Sequence, residues 1–193
     1  MTEQGCGDGS GAGALIAEHA AFELYQIAAL MLGNEAEALG LVEETIAAVE
    51  IDPCADASAA GEIAQQRLVE GAIRRMDEID PKAFAVEAVD AGPTGCIEDD
   101  DLASAGLSPE KLADLIGESG RDRLRRWLDQ LPLAQRAIFV QRAVLGRGNA
   151  RTANAIVESL PVASGWNAER VSQVFRLALC SLANSLVHAA SAA

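Results

Sequence analysis

Apolar residues recur at helical spacing along almost the whole chain, most clearly over Leu124–Leu186. There Leu133, Ala137, Val140 and Val144 follow one another at three- or four-residue steps, the period of one helix face. Pro132 suits the first position of that helix, where a missing N–H costs nothing. Gly146 and Gly148 suit its end. Asn149 reads as the N-cap of a next helix carrying Ala153, Ile156 and Leu160. Leu160-Pro161 closes that helix, because the residue before a proline is disfavoured in the α region. Asn167 reads as the cap of a last helix with Val171, Phe175, Ala178, Leu182 and Leu186 inward. Together with a short helix ending at Trp127–Leu131, these are the elements of a helix-turn-helix on a two-helix support.

The preceding half carries the same period. A first helix is predicted over Ala14–Leu32, with Leu24, Ile27, Ala28 and Met31 inward, and Gly33-Asn34 breaks it. A second over Glu35–Val49 places Ala38, Val42, Thr45, Ile46 and Val49 on one face, and Asp52-Pro53 stops it. A third over Ala59–Met76 brings Leu68, Val69, Ala72, Ile73 and Met76 together. Three such helices can close a small core. Asp77–Gly120, with Pro81, Gly92-Pro93 and Gly95, reads as a linker. Ser108-Pro109 starts one short helix in it, with Leu112, Leu115 and Ile116 as an apolar edge. The expected fold is all-α, two small helical domains joined by an acidic linker. Residues 1–13 form a disordered tail, 14–81 the first domain, 82–120 the linker and 121–193 the helix-turn-helix domain.

Composition agrees with helices. Half of the 193 residues are hydrophobic but only 4% are aromatic, so the core is mostly Ala, Leu, Val and Ile. No apolar run approaches the roughly 18 residues of a membrane span. No basic segment precedes an apolar one, so no signal peptide is expected and the location is cytoplasmic. Cys6, Cys54, Cys96 and Cys180 are far apart, without a CxxC pair, and read as reduced thiols rather than zinc ligands. His19 and His188 are isolated, and the acids follow solvent faces of helices. No catalytic residues, metal site or cofactor are expected, and the chain is not read as an enzyme.

Charge divides the chain more sharply than its net −14 suggests. Residues 1–81 hold 3 Lys and Arg against 16 Asp and Glu, residues 82–120 hold 2 against 9, and residues 121–193 hold 10 against 4. Only the last part can attract phosphate. The run Glu98-Asp99-Asp100-Asp101 reads as a solvated spacer; the other reading is that it mimics nucleic acid or covers the basic part.

The phrases Leu128-Asp129-Gln130-Leu131-Pro132, Gln135-Arg136-Ala137-Ile138-Phe139-Val140 and Leu145-Gly146 resemble region 4 of the sigma-70 family. The likeness is to its small two-domain extracytoplasmic-function type. Leu24–Ala28, Met31–Ala38 and Leu41–Thr45 are similar, less sharply, to region 2 of the same factors. The resemblance implies that the chain binds core RNA polymerase and promoter DNA. Polymerase contacts would come from Glu37, Leu41, Glu43 and Glu44. DNA contacts would come from Arg151, Asn167, Arg170, Ser172, Gln173 and Arg176. Arg121, Arg123, Arg125, Arg126, Arg136, Arg142 and Arg147 would hold phosphates without reading sequence.

The chain departs from that pattern. Leu39-Gly40 stands where the family has an acid pair, and Ile46 where it has phenylalanine. The third helix lacks the family's tryptophan and asparagine, and only Arg170 and Arg176 are cationic on the last helix. Val174, Leu177, Leu179 and Cys180 widen that helix's apolar face, which must meet another surface in the fold or on a partner. Trp166 reads as a packing residue. These departures favour an alternative, a sigma mimic with weakened DNA binding that acts by binding an anti-sigma factor or another protein.

Overall fold

The computed structural model describes residues 10–49, 57–85, 96–116 and 120–191. Among them no β-strand occurs, and eight α-helices carry the fold. These are α1 Ser10–Leu32, α2 Glu35–Ala48, α3 Ala57–Ile79, α4 Pro109–Ile116, α5 Arg121–Leu128, α6 Leu133–Phe139, α7 Asn149–Ser159 and α8 Ala168–Ser191. The all-α expectation is met. Of the tail placed at residues 1–13, residues 1–9 lie outside the described residues and Ser10–Gly13 begin α1. No described helix is long and apolar enough to cross a membrane.

The chain divides into two compact units, Met1–Ala72 and Ile73–Ala193, and the division falls inside α3. In the first unit the break between α1 and α2 works as the sequence reads. Gly33 takes φ 72°, a left-handed conformation that favours glycine. The Asn34 side chain then accepts from the N–H groups of Ala36 and Glu37 at 3.0 and 3.3 Å. The two helices pack on each other. On α2 the buried stripe is Ala38, Leu41, Val42 and Thr45. Ile46, expected inward, is 44% exposed. Four residues at 38, 41, 42 and 45 already span the inward arc of a 3.6-residue helix, and 46 falls past its edge. On α3 the five residues predicted together, Leu68, Val69, Ala72, Ile73 and Met76, are all fully buried.

In the second unit α8 packs against α6 and α7, and α4 against α5. The core of this unit is aromatic where the rest of the chain is not. Phe139, fully buried, lies 4.8 Å from the Trp127 ring and 6.1 Å from that of Phe175. Trp127 donates its indole N–H to Ser181 Oγ at 3.2 Å. Trp166 is buried as expected, edge-on to Phe84, and donates to the Phe84 carbonyl at 2.9 Å. The wide apolar face of α8 is met within the fold, where Val174 and Leu179 are buried beside Val171, Phe175, Ala178 and Leu182.

The predicted helix Leu133–Val144 ends differently from an ordinary α-helix. After α6 the chain widens into a π turn at Val140–Val144, where the Leu145 N–H reaches back to the Val140 carbonyl at 3.1 Å. Gly146, at φ 62°, then turns the chain. Asn149 is not the cap of α7. That position is Gly148, and Asn149 is the first helical residue. Asn167 does cap α8, accepting from the Arg170 N–H at 2.9 Å.

Arg136, expected to hold phosphate, is instead a buried clamp between α5 and α6. Its Nε donates to the Leu128 carbonyl at 2.8 Å and its Nη2 to Asp129 Oδ1 at 2.7 Å. The Leu128 carbonyl also accepts from the Leu131 N–H at 3.0 Å, so the clamp adds a second donor there and ties the end of α5 to α6. Arg136→Met keeps much of the side-chain volume but removes both bonds of the clamp. It is expected to destabilise the second unit by about 1–3 kcal/mol, measured as a shifted urea midpoint.

Candidate nucleic-acid interface

The cations of the second unit are numerous, but the fold uses three of them internally. Arg136 is the α5–α6 clamp. Arg147 is 3% exposed and donates to Gln141 Oε1 at 3.3 Å. Arg142 lies over the Phe175 ring at 4.9 Å and donates through Nη1 to the Arg147 carbonyl at 2.8 Å. Expected as phosphate holders, these three hold the fold, because each has a carbonyl, amide or ring neighbour that shields it from water. Arg123, Arg126 and Arg151 are exposed, and Arg121 and Arg125 half-buried.

The residues assigned to base and phosphate contact come together along α8 and at the start of α7. Arg151 is exposed on the first turn of α7. Asn167 is exposed, with its Oδ1 committed to the cap of α8. Arg170 is half-buried beside the Trp166 ring, 6.0 Å from its centroid. Ser172, Gln173 and Arg176 are half-buried on the next two turns. The side chains therefore share one region, but several already have partners.

Those partners lie in the acidic linker. Asp100 Oδ2 accepts from Asn149 Nδ2 at 2.6 Å and lies 3.7 Å from Arg142 Nη2. The Asp100 carbonyl accepts from Arg142 Nη2 at 3.0 Å, and the Ser172 hydroxyl is close enough to help hold the carboxyl below its usual range. Arg176 Nη1 donates to the Glu98 carbonyl at 2.9 Å. The next acid, Asp101, accepts from the N–H and hydroxyl of Ser104, both at 2.8 Å. That bond starts a short 3-10 turn, Ala103–Ala105, which packs on α8. The solvated-spacer reading fails at Asp100, whose carboxylate meets the basic unit, and at the Glu98 backbone, while the side chains of Glu98, Asp99 and Asp101 are exposed as that reading expects. At Asp100 attraction to Arg142 and the bond from Asn149 replace part of the free solvation. The reduced-thiol reading fails as well at one pair. Cys96 and Cys180 form a disulfide with their Cα atoms 5.8 Å apart. Cys6 and Cys54 lie outside the residues whose side chains are described.

In the first unit, Glu43 and Glu44 are exposed on α2 and Glu37 is half-buried. Leu41, expected at a polymerase surface, is 3% exposed and belongs to the core beside Gly71. The outer stripe of α2 is Leu39, Glu43 and Ile46, two exposed apolar residues flanking an acid. Among the described residues no cluster of His, Cys, Asp or Glu could hold a metal ion. No protein-family model, curated protein or solved structure matches this chain.

Asp100 gives this region a defined pH response. The bond from Asn149 is the largest of the effects that hold its carboxyl below the usual range, followed by those of Ser172 and Arg142, against the opposing effect of burial. A depressed folded value means the contribution is complete above the ordinary carboxylate range and is lost only as pH falls through the lower folded value. Chemical-shift titration of the Asp100 carboxyl should therefore show its midpoint below about pH 4. Asp100→Ala should cost about 1 kcal/mol or less, because the partly exposed carboxylate is screened by water. A midpoint at or above the ordinary value sinks this account of the node.

Proposed function

We propose that this chain is a divergent sigma-factor-like regulator of transcription initiation. In this reading it binds core RNA polymerase through the outer stripe of α2 and DNA through α7 and α8. The observation that carries the reading is the motif at the α5–α6 joint. Asp129 and Arg136, two residues of the Leu128–Val140 phrases on which the resemblance rests, clamp the support beneath a helix pair. α7, a turn through Pro161–Ala163 and α8 then follow in the order of a helix-turn-helix, with α8 as the recognition helix. The exposed Arg123, Arg126 and Arg151 supply backbone contacts that position without specifying sequence. No catalytic step, metal or cofactor enters this function.

A specific observation favours a second reading. Arg176, one of the two cations of α8, already bonds the chain's own acidic segment, as does Asn149 at the start of α7. A sigma mimic that binds an anti-sigma factor needs no such cations and can use α2 and the helix pair as protein surfaces.

Retention of the purified full-length protein on immobilised core RNA polymerase, without DNA and at moderate salt, separates the two. The sigma reading expects a stable complex that a charge-reversing Glu43→Lys substitution weakens. A folded, helical protein that is not retained leaves the mimic. In reducing buffer, Arg170→Ala combined with Arg176→Ala should weaken DNA binding. If both side chains contact phosphate, the slope of log affinity against log salt should fall by about 0.9 for each contact removed.

A further inference from the structure

We propose that Cys96–Asp101 is a redox-latched clasp that covers the DNA-facing stripe of α8 until the Cys96–Cys180 disulfide is reduced. The proposal deepens the DNA reading above and rests on it. Three linker residues meet three helix residues in register. Cys96 bonds Cys180, the Glu98 carbonyl accepts from Arg176, and Asp100 comes close to the Ser172 hydroxyl. Positions 172, 176 and 180 are successive steps of four on α8, so they share one face. The linker runs antiparallel to the helix, advancing two residues for each of those steps. Four helical residues rise about 6 Å, and two residues of chain reach at most about 7 Å, so the register can be kept without slack.

The stripe so covered contains two of the side chains assigned to DNA. What covers it is a row of oxygen acceptors, the Glu98 and Asp100 carbonyls and the Asp100 carboxylate, within a run of acids whose negative charge is that of a nucleic-acid backbone. Arg142 takes a carbonyl and approaches a carboxylate, Arg176 takes a carbonyl, and the Asn149 amide at the first turn of α7 takes a carboxylate oxygen. These are the donor types, at a helix start and on a helix face, that otherwise bond phosphate. A duplex and the clasp cannot occupy those donors together.

The polar contacts belong to half-exposed groups and hold weakly by themselves. The chain already makes their occupation intramolecular; the disulfide shortens the tether between linker and helix and so raises the local concentration of the competing acceptors. Cys96 is exposed and Cys180 half-buried, so a reductant reaches Cys96 first. The thiolate of a dithiol attacks the Cys96 sulfur, and Cys180 leaves as a thiolate that takes up a proton. The second thiol of the reductant then displaces Cys96, which also leaves as a thiol. Two electrons and two protons pass to the protein, and the dithiol becomes a cyclic disulfide.

The test uses full-length protein in its disulfide form and after treatment with dithiothreitol, with thiols counted by alkylation and mass. Amide exchange is followed across residues 97–105, and binding to a labelled duplex of mixed sequence is followed at low salt. Reduction is expected to speed exchange across 97–105 and to tighten duplex binding about tenfold, as when a competent state rises from a tenth to most of the population. Cys96→Ser should match the reduced protein whether or not dithiothreitol is present. Exchange at 97–105 that reduction leaves unchanged overturns the clasp. Exchange that rises while no form binds the duplex leaves the clasp standing and removes α8 from the DNA reading.

Discussion

The second unit depends on the position of Phe139. It is fully buried, and the rings of Trp127 and Phe175 close on it from α5 and α8. Aromatics are only 4% of this chain, and an aromatic contributes more buried area per residue than the alanines around it. Grouping three of them at one joint fixes how α8 rolls about its axis. With Phe175 held inward, Ser172, Arg176 and Cys180 are turned toward the linker. Arg142 extends the same chain of contacts, lying over Phe175 while it bonds the backbone of Asp100. Core packing and the polar surface are thus one arrangement, and a change at Phe139 would be felt at Asp100.

Charge counts mislead in a unit built this way. Residues 121–193 carry ten arginines, which reads as a surface for phosphate. Arg136, Arg142 and Arg147 are instead partners of carbonyls, an amide oxygen and a ring. Arginine suits such work because its planar fork satisfies two acceptors at once and its stem adds apolar contact. Arg176 is a fourth case, shared between the helix face and the Glu98 carbonyl. The field that reaches a partner therefore comes from the few exposed arginines, and the acids of Glu98–Asp101 reduce it locally.

Helices and caps were legible in the sequence because they depend on neighbours a few residues away. The inward faces of α3 and α8, the break at Gly33-Asn34, the cap at Asn167 and the packing role of Trp166 follow from period and residue type alone. Small errors came at edges. Asn149 sits one position inside α7 because its amide is drawn to Asp100, 49 residues away. What was hidden depends on distant partners. Cys96 and Cys180 are separated by 84 residues, and Trp166 bonds the Phe84 carbonyl across 82. Cysteine spacing carries no information about such pairings. Nor does a run of acids reveal which of its oxygens will be taken. The four-residue step through Ser172, Arg176 and Cys180 was present in the sequence, but it has meaning only beside the two-residue step of the linker.

That register bears on what the linker is for. A spacer needs only solubility and length, and four consecutive acidic residues supply both without contacting anything. Here alternate linker residues meet successive turns of one helix, and the residue between the first two contacts, Ile97, is 6% exposed. Asp101 then accepts from Ser104 of the Ala103–Ala105 turn, which packs on the same helix. An apolar anchor, a covalent bond and acid-to-donor contacts on a single face form an interface. In the proposed DNA reading, a duplex at this face of α8 must first displace the chain's own segment. The acidity of the linker and the scarcity of outward cations on α8, which at first point to opposite functions, are then two sides of one contact.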